Sequence, residues 1–188
     1  FDIKINLELA RKFHPDRKKF VIVGDDGTTG KAIRRQILNA FDKMTDRPPF
    51  EIQFLIIGNE KTTAKAIRSE VLKAFEKMTD LPPFDIRIGN TLEQLTRDAE
   101  AVAKDAFFYF IPFYMDHQRG RYTANEIVQT LWEVTQAPIY SNWKFLVGSG
   151  AVGGKVIDGF EHAKPAGQMA MRVLEGETAA NIPIVKPN

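Results

Sequence analysis

A set of aromatic and hydrogen-bonding side chains follows the apolar stretches that predict strands in this sequence. Carboxylates, hydroxyls, amides and aromatic rings together suit a site that holds a small polar molecule with an apolar part. The carboxyl ends of neighbouring parallel strands meet at one edge of a sheet, where ligands collect. We therefore predict a ligand-binding site at that edge, made by Asp26, Thr28, Phe113, Tyr114, Asp116, Asn142 and Trp143.

Structural roles compete with ligand contact at several of these positions. Asp25 and Asp26 stand between a predicted strand and a predicted helix, where short acidic side chains cap the first amides and favour the helix dipole. Phe113 and Tyr114 could equally pack in the core at the end of a strand. Trp143 follows two polar residues in a loop and is harder to explain by core packing. For Asp25, Asp26, Phe113 and Tyr114, a structural role and a ligand contact both stay open.

The glycine-rich stretch 24–31 ends in Gly-Lys, as a phosphate-binding P-loop does. A P-loop has four residues between its glycines, whereas five separate Gly24 from Gly30. Ala32 stands where a Ser or Thr would hold magnesium, and two carboxylates in the loop would repel a polyphosphate. The spacing therefore argues against a nucleotide site.

The acidic pair Asp25 and Asp26 also resembles the pair that follows the first strand of a receiver domain. Such a domain needs a phosphoacceptor aspartate and a lysine at the ends of later strands. Asp116 and Lys144 could take those roles only if an extra βα unit and the stretch 148–154 were ignored. A receiver-like or nucleotide-binding enzyme is therefore the third of three interpretations.

No arrangement for nucleophilic or metal chemistry is visible in the sequence. The chain has no cysteine, and its histidines His14, His117 and His162 stand apart from any Gly-x-Ser-x-Gly motif or metal-ligand spacing. We therefore predict a protein that is not an enzyme, with no catalytic residues, no metal ligands and no cofactor.

Composition narrows the class of protein further. The 188 residues suffice for one domain with a substantial core. The 26 basic and 24 acidic residues nearly cancel and the basic ones are scattered, so nucleic acid is not expected as a partner. The longest apolar run, 106–113, is too short to span a bilayer. The chain begins at Phe1 without an initiator Met or a secretory signal pattern, which suggests a mature product or a segment of a longer protein.

Strands and helices are predicted to alternate along the whole chain. Continuously apolar strands in such an alternation predict a mainly parallel sheet with helices on both faces, which is a flavodoxin-like α/β fold. Thr91 and Thr123 each begin a capping-box pattern, which predicts helices that start near Leu92 and Ala124. Strands are predicted at 19–23, 50–57, 106–111, 138–140 and 155–158, and a last helix at 166–174.

A tandem repeat occupies residues 20–53 and 54–87, and 20 of its 34 aligned positions are identical. Each copy carries one strand, one loop and one helix, so we expect one extra βα unit in the sheet of a single lobe that spans residues 1–188. The core positions stay apolar in the second copy, but the Asp-Asp-Gly of 25–27 becomes Asn-Glu-Lys. If either copy binds a ligand, the first is the better candidate, and the second extends the sheet.

Motifs at both ends of the chain resemble a known family. Near the end stand a Tyr-Ser-Asn-Trp turn at 140–143, the glycine-rich stretch 150–154, and an Arg-Val-Leu-Glu-Gly-Glu sequence that leads to Ile-Pro-Ile-Val at 182–185. Residues 1–35 join a predicted helix, a His-Pro-Asp turn and a strand that ends in Gly-Asp-Asp. The combination resembles the second lobe of periplasmic ABC-type solute-binding proteins, above all those that form the extracytoplasmic sensor domains of bacterial histidine kinases and diguanylate cyclases.

The resemblance implies a ligand held in a cleft between two lobes that close about a hinge. The family's first lobe is absent from this sequence, and the extra βα unit is not part of the family's pattern. The implied partners are a small molecule and that missing lobe, and the implied location is periplasmic or extracytoplasmic. By resemblance, the second-lobe contacts would come from Asp26, Thr28, 113–116, Asn142 and Trp143, in the loops already selected for their chemistry.

A structural or engineered scaffold that carries the duplicated unit and binds no ligand is the main alternative to a recognition lobe. A homodimer is a further expectation from the repeat. The strand at 51–57 joins the end of one unit to the start of the next, and two near-identical units could compete for one position in the sheet. The displaced strand or unit would then be free to exchange with a second chain.

Overall fold

The computed structural model of the chain describes residues 3–44, 50–76 and 82–185. These residues form two compact units, of which the first ends at Val156 and the second starts at Ile157. The described part of the second unit contains one α-helix, Gly159–Leu174, and a short 3-10 helix. Among the described helices, none is long and apolar enough to cross a bilayer.

The first unit is built on a parallel sheet. Its described strands are β1 (Lys19–Asp25), β2 (Glu51–Ile57), β3 (Phe84–Gly89), β4 (Ala106–Phe110), β5 (Ile139–Tyr140) and β6 (Ala151–Gly153). All six run parallel, in the order β3-β2-β1-β4-β5-β6. The strands β2 and β3 are therefore added on one side of β1, and β4, β5 and β6 are added on its other side. This arrangement confirms the predicted flavodoxin-like α/β fold.

Helices cover both faces of this sheet. One face packs against α1 (Ile3–Phe13), α2 (Thr28–Asp42) and α3 (Glu60–Ala74), and the other against α4 (Leu92–Val102) and α5 (Ala124–Thr135). Successive side chains of a strand point to opposite faces, so Phe20 and Ile22 enter the first core while Val21 and Val23 enter the second. Burial on both faces explains why β1 and β4 are almost continuously apolar.

The two copies of the repeat add equivalent layers to the sheet. Phe20 of β1 lies beside Ile52 of β2, and Ile52 in turn lies beside Phe84 of β3. Both pairs are separated by 32 positions in the sequence, so β3 rests on β2 in the same register in which β2 rests on β1. The second copy therefore extends the sheet by one strand and one helix, as predicted, without changing the packing rule.

Charged side chains connect the helices of the two copies. Arg34 of α2 has a side chain with 0% of its surface exposed, and its Nε lies 3.6 Å from Oε2 of Glu70 in α3. Arg35 lies 3.7 Å from the other carboxylate oxygen of Glu70. The repeat counterparts of Arg35 and Glu70 are Ser69 and Gln36, so neither copy could form this bridge with an identical twin. The bridge depends on differences between the copies.

The capping patterns place two helix starts correctly. At α5, Thr123 Oγ1 accepts a hydrogen bond from Glu126 N at 3.2 Å, and the Glu126 carboxylate accepts one from Thr123 N at 2.7 Å. At α4, Thr91 Oγ1 accepts from Gln94 N at 3.2 Å, but the Gln94 side chain accepts from Asn90 N. The second helix start therefore has the threonine cap with its return bond shifted by one residue.

Two predicted boundaries near the end of the chain are wrong. The last strand of the sheet is Ala151–Gly153, inside the stretch predicted as a glycine-rich turn, and not 155–158. The last helix begins at Gly159 instead of 166, because Asp158 Oδ1 accepts from Phe160 N at 3.0 Å and caps an earlier start. Pro165 lies inside this helix.

Candidate functional site

An open cleft lies at the carboxyl ends of β1 and β4, where the strand order of the sheet reverses. In open α/β sheets, this reversal point is where ligands bind, because the loops diverge and leave a crevice. The cleft has a volume of about 370 Å³. Its lining residues all belong to the first unit and are Asp25, Gly27, Thr28, Thr29, Pro112, Phe113, Tyr114, Trp143 and Phe145.

The loop after β1 leaves the first turn of α2 without a side-chain cap. The N-cap residue is Gly27, which has no side chain to accept from the first amides. In the second copy the N-cap is Asn59, whose side chain accepts a hydrogen bond from Thr62 N at 3.3 Å. Asn59 is the repeat counterpart of Asp25, so α3 starts two residues earlier in the repeat than α2 does. The loop between β1 and α2 contributes Gly27 to the lining of the cleft.

Gly30 allows Asp25 to lie against the first turn of α2. A Cβ atom at position 30 would stand 2.5 Å from both the backbone oxygen and Oδ1 of Asp25, well inside van der Waals contact. The second copy has Ala64 at the equivalent position, where Asn59 replaces the aspartate. The glycine is therefore required by the position of Asp25, through its backbone oxygen as well as its carboxylate.

The Asp25 carboxyl group has a raised pKa. Burial in the floor of the cleft is the main cause, and the negative charge of Asp26 acts in the same direction. A hydrogen bond from the Gly27 amide and the positive charge of Arg34 oppose the shift without cancelling it. Because the ionised form is disfavoured, a cation beside this carboxylate would relieve an existing electrostatic cost.

Aromatic rings from two loops line the rest of the cleft. Phe113 is 1% exposed, and its ring centroid lies 5.9 Å from that of Phe110. It therefore serves both as a core residue and as part of the lining. Tyr114 is 59% exposed, and its ring faces solvent. Trp143 and Phe145, held by the 3-10 helix after β5, have ring centroids 6.0 Å apart at an angle of 40°. Phe145 is 50% exposed and Trp143 is partly buried against the second core, so this part of the cleft is apolar and open on one side.

Asp26 connects the first copy to the second and is not part of the lining. Its Oδ2 accepts a hydrogen bond from Thr63 Oγ1 at 2.7 Å, and its amide donates to the backbone oxygen of Ile57 at 3.1 Å. Thr63 is buried near the start of α3. The second copy thus fixes the loop that carries Asp25.

Asp116 closes a loop of its own. Its Oδ1 accepts hydrogen bonds from the amides of Gln118 and Gly120 at 3.0 and 2.8 Å, and its Oδ2 accepts one from the Tyr122 hydroxyl at 3.1 Å. The carboxylate is buried and satisfies three donors of the loop. It therefore shapes the loop after β4 and lies outside the cleft lining.

Asn142 belongs to a buried polar cluster beside α1. Its Oδ1 accepts hydrogen bonds from Asn6 Nδ2 at 3.2 Å and from the Tyr109 hydroxyl. Asn6 also bonds both backbone groups of Lys155, at 2.6 and 3.1 Å. The cluster connects α1, β4 and the segments after β5 and β6, and its members are absent from the cleft lining.

The structure brings four of the seven predicted site residues together, namely Thr28, Phe113, Tyr114 and Trp143. Asp26, Asp116 and Asn142 instead make the structural contacts described above. The sequence offers Asp25 as a helix cap or as half of a receiver-like acidic pair and not among the predicted site residues, although it ends the strand that borders the reversal point. Phe145 was missed because its position depends on the 3-10 turn that brings it beside Trp143.

Comparisons with family models, curated proteins and solved structures give no match to this chain. In the described ranges, no group of three or more His, Cys, Asp or Glu side chains is arranged to hold a metal ion.

Proposed function

We propose that this chain is the ligand-recognition lobe of a solute-binding or signal-sensing protein and binds a small molecule without chemical conversion. The observation that carries the proposal is the coincidence of three features at one place. The strand order reverses there, an open cleft of about 370 Å³ lies there, and four of the predicted residues line it. Clefts of this size that combine apolar walls with a few polar groups suit small ligands.

The exposure of the aromatic wall supports a site that a second lobe would complete. Tyr114 and Phe145 present 59% and 50% of their surfaces to solvent and line one cleft, and grouped exposed apolar surface of this kind is typical of a binding site. The resemblance to periplasmic binding lobes offers a reason, since their ligands are covered from the other side. The same resemblance carries the proposed extracytoplasmic location and the proposed partner lobe. Alone, this lobe should bind weakly, because about half of the contacts that bury a ligand would be missing.

A thermal-shift screen of small polar compounds with apolar groups tests the proposal on the purified chain. A ligand that binds the folded state raises the midpoint in a concentration-dependent manner, by about 2.7 kcal/mol in stability at a hundredfold excess over its Kd. Tyr114→Ala should abolish the shift. Phe13→Ala is the matched control, because Phe13 is similarly exposed, at 64%, but does not line the cleft.

Each outcome of the screen separates the competing interpretations. Stabilisation that survives in the Phe13→Ala variant and disappears in the Tyr114→Ala variant supports the recognition lobe. The absence of stabilisation by any compound would favour the ligand-free scaffold. Stabilisation by a nucleotide, or by magnesium with acetyl phosphate, would favour the enzyme interpretation instead.

A further inference from the structure

The side chains that line the cleft carry a net negative charge. They include one carboxylate, two threonine hydroxyls and four aromatic rings. Among the described residues that line it, none is Lys, Arg or His. Asp26 adds a second negative charge directly beside Asp25, behind the lining. The cleft therefore offers negative charge and ring faces to a ligand, with no cation to neutralise a ligand anion.

The rings and the carboxylate attract the same kind of group. The face of an aromatic ring carries negative charge density and attracts ammonium ions, most strongly at Trp and also at Tyr and Phe. Tyr114, Trp143 and Phe145 line the cleft, the first and last of them exposed and Trp143 partly buried. The hydroxyls of Thr28 and Thr29 can accept hydrogen bonds from N–H groups. Charge and hydrogen-bond capacity thus favour a cation that also has an apolar part.

The N-terminus of α2 works against a cation, but the carboxylate outweighs it. A helix N-terminus is equivalent to roughly half a positive charge, whereas an ionised Asp25 supplies a full negative one. The Gly27 amide already donates to Asp25, and the missing Cβ of Gly30 lets Asp25 lie against this turn. The carboxylate therefore covers the helix end. The positive charge of Arg34 also acts on Asp25, but Arg34 is paired with Glu70, so the net charge at the cleft floor is negative.

We propose that the cleft binds a small organic ammonium ion whose body is apolar or aromatic, with the ammonium beside Asp25 and the body against Tyr114, Trp143 and Phe145. This proposal rests on the proposed function and names the ligand class for the same site. The Asp25 carboxylate favours a cation, since burial raises the pKa of this carboxyl group and a bound ammonium would lower that pKa again.

Three probes with the same phenyl ring and different charge test the ligand class: phenethylammonium, 2-phenylethanol and 3-phenylpropionate. The chain has two tryptophans, so a Trp132→Phe variant leaves Trp143 as the one fluorescent indole, inside the cleft. Titration of its fluorescence should give a Kd for the ammonium roughly tenfold lower than for the alcohol, with the carboxylate weaker still. Added salt should reduce the difference.

Charge variants identify the responsible group. Asp25→Asn should bring the ammonium and the alcohol to similar Kd values, and it should fold, since Asn59 occupies the equivalent position of the second copy. Asp16→Asn changes the net charge equally but lies before the other end of β1, so the tenfold preference should remain.

The possible results separate the ligand class from the function. If the alcohol or the carboxylate binds as tightly as the ammonium, or if Asp25→Asn leaves the preference intact, the ammonium proposal is wrong and the recognition site stands. If none of the three probes changes the Trp143 fluorescence, the ammonium proposal is overturned. If the thermal-shift screen is also negative, the proposed function fails with it.

Discussion

The bridge between the two copies gives a sharp prediction for the substitution Glu70→Gln. Arg34 is fully buried, and neither its Nε nor its Nη2 has a hydrogen-bond partner, so the charge of Glu70 at 3.6 Å is its main compensation. Removing one partner of a buried ion pair costs about 3–5 kcal/mol, because the other charge is left uncompensated. Glu70 is 11% exposed, which favours the lower end, about 3 kcal/mol.

Urea unfolding followed by circular dichroism measures this loss. In thermal unfolding of the same variant, a chain of this size should lose roughly 6–12 °C in Tm. The matched control is Arg35→Ser, which introduces the residue found at the equivalent position 69. Arg35 pairs with the same Glu70 carboxylate, but the Arg35 side chain is 68% exposed. An exposed partner of this kind contributes about 0–1 kcal/mol.

A double-mutant cycle with Arg34→Met separates charge from packing. Methionine removes the buried charge, so the double variant should lose about 1 kcal/mol, mainly the hydrogen bond from Arg34 Nη1 to the backbone oxygen of Asp25. Arg34→Met alone loses the same hydrogen bond, at about 1 kcal/mol, while Arg35 still pairs with Glu70, so the coupling energy should be about 3 kcal/mol in magnitude. The reasoning is refuted if the two substitutions add, or if Glu70→Gln costs no more than Arg35→Ser.

Three further substitutions test the site loops. Because folding raises the pKa of Asp25, the folded state holds this proton more tightly, so stability falls as pH rises from about 3.8 through the folded pKa. Asp25→Asn should flatten that part of a urea-unfolding pH profile and stabilise the protein at neutral pH. An unchanged profile would contradict this prediction. Thr63→Val removes the donor to Asp26 and should cost about 1–2 kcal/mol in the same assay, whereas Thr62→Val, in an exposed pair, should cost less. Asp116→Ala leaves two loop amides and a hydroxyl without their acceptor and should cost about 2–3 kcal/mol, with faster amide exchange confined to that loop; unchanged exchange rates would count against it.

The sequence predicted the layers of the fold well because they depend on short-range patterns. Apolar runs bounded by turn residues located β1, β2 and β4, and the repeat required its two units to pack alike. The strand β3, Phe84–Gly89, was not predicted, because the polar residues Asp85 and Arg87 interrupt its apolar pattern. β5 and β6 have only two and three residues, so their patterns were weaker, and the last strand was misplaced among glycines. Such a strand is defined by its neighbour in the sheet, which a local pattern does not contain.

The site was harder to predict, because it depends on strand order and on the direction of single side chains. The sequence located the loops at strand ends but not the reversal between β1 and β4, which selects among them. Asp25 and Asp26 are adjacent, yet one lines the cleft and the other bonds Thr63. A shift of one residue changes the direction of a side chain, and the geometry of the loop decides which of the two carboxylates points into the cleft.

The differences between the two copies follow from their positions in the sheet. β2 lies between β1 and β3, so no reversal opens a crevice at its end, and the loop after it can close on its own helix. Asn59 does this by capping α3, and with no carboxylate against the first turn, an alanine is tolerated at 64. At the reversal, Asp25 lies against the turn, which requires glycine at 30. The changes from 25 to 59 and from 30 to 64 are thus one coupled change, made where the cleft is absent.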